Sequence, residues 1–115
     1  MMCTAYFGEI SKARNDNWNN GATAPYEVLQ TFVPLEWVAH KVLDYGSDYF
    51  SEKIKVDWGC FAWRCSAEQI SAFLHDFKSI LPWLAERDEE MIRSVETYIA
   101  EHPDGKYGVV FVEVF

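Results

Sequence analysis

The clearest rhythm of apolar and polar positions is Tyr107-Gly-Val-Val-Phe-Val-Glu-Val-Phe115. As a strand it carries Val110, Val112 and Val114 on one face and Val109, Phe111 and Phe115 on the other. A strand apolar on both faces belongs in the middle of a sheet covered on both sides. The alternative is that one face meets a second copy, giving a homodimer through residues 107–115. At the other end, Met2 to Ile10 (MCTAYFGEI) is short, apolar and aromatic, and predicts a first strand. In residues 47–57 (SDYFSEKIKVD), Ile54 and Val56 alternate with Lys53, Lys55 and Asp57, as in a half-buried strand. Trp58 to Cys65 (WGCFAWRC) is another strand candidate. Gly59 reads either as the turn joining two strands or as a bulge in one long strand.

Helical spacing appears in three places. Pro34 suits a first helical turn, which predicts a helix from Pro34 to Tyr45 with Leu35, Val38, Ala39 and Val42 on one face. Gly46 is its expected stop. Val28, Leu29 and Phe32 suggest a short helix before it. Ser66-Ala-Glu-Gln69 has the spacing of a capping box, followed by a buried face of Ile70, Phe73, Leu74 and Phe77. After a break at Ser79 to Pro82, a long helix runs to His102. Its apolar stripe is Leu84, Met91, Val95, Tyr98 and His102, with Ile92 and Ile99 beside it. Pro103 to Lys106 (PDGK) is a turn.

Residues 11–25 fit neither rhythm. Asn15, Asn17, Asn19, Asn20, Gly21 and Pro25 make them a long polar loop, with Trp18 in the middle. The element order predicts one α+β domain over residues 1–115. Its sheet is small and mainly antiparallel, of three to four strands, with two to three helices packed on it.

Composition sharpens this picture. In 115 residues, half are hydrophobic and 24% charged, which is globular and enough for one core. The 17% aromatic content, with five Trp and six Tyr, is more than a domain of this size readily hides. Trp and Tyr are also the residues enriched at binding hot spots. The net charge of −8 disfavours direct nucleic-acid binding, which needs a basic patch, and suits a basic partner. The segment 82–105 alone carries seven acids against two bases, a net charge of −5. Three cysteines without a CxxC, and an N-terminal stretch without a basic n-region, are expected of a cytoplasmic protein with reduced thiols. No apolar run reaches the ~18 residues of a membrane span.

The sequence carries no phosphate loop, G-x-S-x-G, H-E-x-x-H or paired carboxylates at a defined spacing, so no catalytic residue, metal or cofactor is predicted. Cys60 and Cys65 are five apart and should face opposite sides of a strand, which prevents them from sharing an ion. Cys3 reads as a small apolar strand residue. Of the tryptophans, Trp58 and Trp63 should also face opposite ways, Trp83 is expected to fold back over the core, and Trp37 lies off the stripe of its helix. The acids Glu86, Asp88, Glu89 and Glu90 open the last helix, where the macrodipole and solvation account for them and where they also form an acidic edge.

The expected function is a small acidic protein-binding module, an inhibitor of the immunity or phage anti-defence type. It would occlude a basic, nuclease-like or nucleic-acid-binding surface, with Trp18, Trp37, Glu86, Asp88, Glu89 and Glu90 as contacts. The alternative is a homo-oligomeric small-molecule-binding domain, or an enzyme whose site draws on His40, Tyr45, Cys60 and Arg64.

Overall fold

The computed structural model describes residues 2–10, 29–35, 38–57, 60–78 and 82–114. In chain order the elements are β1 (Met2–Ile10), β2 (Leu29–Pro34), α1 (Ala39–Tyr49), β3 (Lys53–Asp57), β4 (Cys60–Cys65), α2 (Ala67–Asp76), α3 (Pro82–Glu101) and β5 (Tyr107–Val114). All strands join one antiparallel sheet in the order β2-β1-β5-β4-β3. The α+β class is as expected. Among the described residues the sheet has five strands, one more than the three to four expected, and the additional one is β2.

The segment Leu29–Pro34 was expected to be partly helical. Thr31, Phe32 and Val33 are β-branched or aromatic, and a residue before proline is pushed toward extended backbone. Pro34 ends the strand at the margin of the sheet, where a missing N–H is tolerated. The chain stays extended for one more residue, since the Leu35 N–H donates to the Ala5 carbonyl at 2.8 Å. Helix α1 therefore starts at Ala39, not Pro34, and it runs through Gly46 to Tyr49. Gly46 does not stop the helix; it receives the indole of Trp63. A Cβ at Gly46 would lie 3.0 Å from that ring, and Trp63 is fully buried there. The Trp63 Nε1 donates to Ser47 Oγ at 3.4 Å.

Residues Lys53–Asp57 and Cys60–Cys65 form an antiparallel pair, which decides between a pair and one bent strand. Helix α2 begins with the expected capping box: Gln69 N donates to Ser66 Oγ at 3.1 Å and Ser66 N donates to Gln69 Oε1 at 2.9 Å.

The sheet buries both faces. On the helix side, Phe7, Trp63, Val109 and Phe111 pack with Val42, Ile70, Phe73 and Val95. On the far side, Ile10, Leu29, Cys60, Ala62 and Val110 form a second cluster. Alternation along β4 puts Cys60 in the far cluster and Cys65 in the helix-side one. Strand β5 is central, with β1 and β4 occupying its two edges and Val109, Val110 and Phe111 fully buried. Both of its edges are hydrogen-bonded within the chain.

One side chain enters the β1–β2 ladder. The register shifts between Glu9 and Ile10, and the hydroxyl of Tyr98, reaching down from α3, fills the gap. It accepts from the Glu9 N–H at 2.7 Å, lies 2.6 Å from Thr31 Oγ1 and donates to the Thr31 carbonyl at 3.2 Å. Gly8 permits the close approach of the strands, since a Cβ there would run into the Thr31 carbonyl oxygen. Phe7 meets the Tyr98 ring edge-on at 5.7 Å, and His102 stacks on it at 4.2 Å. The Tyr107 hydroxyl donates to the His102 carbonyl just past the end of α3.

Tyr98→Phe keeps the ring and removes the bridge, leaving a strand N–H and a carbonyl without their partner. The expected loss is about 1–3 kcal/mol in urea unfolding, with faster hydrogen exchange at the Glu9 amide. A loss under about 0.5 kcal/mol would mean that water replaces the hydroxyl.

Candidate protein-binding site

The acids of α3 do not all share one exposed edge. Glu86, Glu89 and Glu90 are exposed, whereas Asp88 is only 1% exposed. Asp88 stands four residues after Leu84 and four before Ile92, so it occupies the rung of the apolar stripe between Leu84 and Met91. Asp88 interacts within the fold. Burial thus sets Asp88 apart from the exposed acids of the helix. Glu89 turns toward the end of α2 and pairs with Lys78 at 3.6 Å. Both groups are well solvated, so the pair is worth less than about 1 kcal/mol.

Trp83 did not fold back over the core. It is 71% exposed, the largest exposure among the large hydrophobic side chains described. Positions 83, 90, 94, 97 and 101 are separated by seven, four, three and four residues, which sets them along one flank of the helix. That spacing was the available signal: Trp83 lies off the stripe through Leu84, Met91 and Val95, on the line of Glu90 and Glu101. Trp63, by contrast, is core. Trp18, Trp37 and Trp58 lie outside the described residues.

The same flank overlooks β2. Between them runs a groove of about 480 Å³ lined by Val33, Glu90, Arg93, Ser94, Thr97 and Glu101, with Tyr98 at its floor. On the opposite face of β2, Phe32 is 39% exposed and packs edge-on against Tyr6 at 5.0 Å.

The four residues considered for a small-molecule site do not converge. His40 and Tyr45 are exposed on α1, whereas Cys60 is buried in the far cluster. Arg64 is half-buried and pairs with Glu52 at 3.3 Å. Tyr45 instead stacks on Phe77 at 5.0 Å, with the Lys41 ammonium 5.5 Å from the Tyr45 ring centre. Nearby, the Tyr49 hydroxyl donates to Asp76 Oδ2 at 2.5 Å, and this bond raises the tyrosine's pKa above its ordinary value. Burial raises the Tyr107 pKa, with nearby Glu9 adding to the effect. Burial likewise pushes the Cys65 thiol well up, which keeps it protonated and a poor nucleophile. Among the described residues no group of three or more His, Cys, Asp or Glu is placed to hold a metal ion. Among the same residues no helix is long and apolar enough to cross a membrane. Compared with known proteins, the chain matches no family model, no curated protein and no solved structure.

Two measurements check this geometry. Asp88→Ala should cost on the order of 1–3 kcal/mol in urea unfolding, against about 0.5 kcal/mol or less for Glu86→Ala or Glu90→Ala. In timed iodoacetamide labelling of the native protein at neutral to mildly alkaline pH, half-buried Cys3 should react before Cys60 and Cys65. Unfolding in urea should equalise the three.

Proposed function

We propose that this protein is a small acidic cytoplasmic binding module that inhibits a partner by covering its basic, nucleic-acid-binding surface. Immunity proteins and phage anti-defence inhibitors work in this way. The observation that carries the reading is Trp83, 71% exposed on the helix flank that also bears Glu90 and Glu101, with Glu86 one turn on. A large rigid indole on the same flank as these carboxylates combines an apolar anchor with attraction for cations, including cation–π contact with Lys or Arg. The net charge of −8 supports the same reading, because it steers association toward a positive cleft and speeds encounter at low salt.

The test is capture of the partner from host lysate with the tagged protein, washed at low and then high salt, followed by assay of the partner's nucleic-acid binding or cleavage. A basic partner should be retained, be released by salt and be inhibited when bound. Trp83→Ala should weaken that complex by about 2 kcal/mol, close to thirtyfold, while leaving urea stability within about 0.5 kcal/mol. A complex indifferent both to salt and to Trp83→Ala, or a captured partner whose activity is unchanged, would sink the inhibitor reading.

A further inference from the structure

Among the described residues, strand β2 lies at the margin of the sheet and pairs with β1 alone. Leu35 bonds to Ala5, its opposite number in the register that pairs Tyr6 with Pro34 and Phe7 with Val33. In an antiparallel pair the hydrogen-bonded positions recur every second residue. Thr31 and Val33 therefore turn their main-chain groups toward β1, and Phe32 turns its N–H and C=O outward. Pro34 offers no N–H, which confines the open edge to a short stretch around Phe32.

Val33, beside this edge, is the β2 wall of the groove, and the α3 flank is the other. Glu90 and Glu101 are the acidic groups of that flank and stand eleven residues apart on the helix, about 16 Å by helical rise. In an extended chain, side chains four positions apart share a face and lie about 13–14 Å apart. Two long basic side chains at that spacing reach both carboxylates. Arg93 stands between them and disfavours a third base in the middle.

We propose that this groove takes an extended segment of a partner protein as a further strand beside β2, its main chain bonded to Phe32 and two basic side chains four residues apart on Glu90 and Glu101. This rests on the reading of the protein as a binder of a basic partner and names how the partner docks. A second copy fits less well, because pairing two β2 edges brings like-charged Glu90 and Glu101 flanks together in a chain of net charge −8.

The probe is the synthetic peptide acetyl-TKVTVKT-amide, titrated into isotope-labelled protein and followed by NMR. Saturable shifts are expected at Phe32, Val33 and residues 90–101, with slowed hydrogen exchange at the Phe32 amide. Replacing both lysines by glutamate in the peptide should weaken binding at least tenfold, as should Glu90→Gln combined with Glu101→Gln in the protein, both exposed positions. Of two peptides N-methylated at odd or at even positions, one should lose binding and the other keep it, because only one edge of an added strand faces β2. The proposal is overturned by absence of shifts at millimolar peptide, by equal binding of the glutamate peptide or by indifference to N-methylation. Concentration-dependent shifts at Phe32 without peptide would overturn it in favour of self-association. The two readings fail separately. A basic partner lost with Trp83→Ala but with no peptide in the groove removes only the strand mode. Peptide in the groove with no inhibited partner removes only the inhibitor.

Discussion

The hydroxyl of Tyr98 fixes where the long helix lies. It replaces a main-chain contact between β1 and β2, accepting from Glu9 and donating to Thr31. The helix cannot slide along or roll over the sheet without breaking the ladder it has entered. Phe7 and His102 both pack against the ring, so hydrogen bonding and packing set the same position. Gly8 completes the arrangement by letting the strands come close. The groove above β2, and the direction in which Trp83 and Glu90 face, follow from this anchorage.

That flank is one place among the described residues where exposed apolar and acidic side chains meet. Trp63 shows how most of the aromatic surplus is used: its indole is absorbed against Gly46, with Phe50 nearby at 6.4 Å. Tyr45, Tyr49 and Phe77 form a second group, tied down by Lys41 and Asp76. Among the described residues, no such arrangement surrounds Trp83.

What could be read from residue order was what depends on neighbours in the chain. β1, the capping box of α2 and the span of α3 follow from local pattern and local hydrogen bonds, and they match the structure within a residue or two. β2 was missed because its six residues alternate poorly and are strands chiefly through pairing with β1, a partner distant in sequence. Gly46 was misread because a glycine that ends a helix and a glycine that admits a neighbouring ring look alike without knowing where Trp63 lies. Asp88 was legible: its place between Leu84 and Ile92 lay on the stripe, but its charge drew it into the acidic run. Trp83 was legible by the same geometry. The groove was not, because one wall comes from an unexpected strand.

The order of strands has a bearing on how this chain is made. β1 and β2 form one hairpin-like pair and β3 and β4 another, and among the described residues β5 joins the two pairs in the sheet. On a ribosome, both pairs emerge before the strand that unites them. Until that strand is released, each presents an open edge beside largely apolar residues, the state in which nascent β proteins are prone to wrong pairing. The acidic segment 82–105 emerges just ahead of β5, so the growing chain carries strong negative charge during the interval when its edges are unprotected.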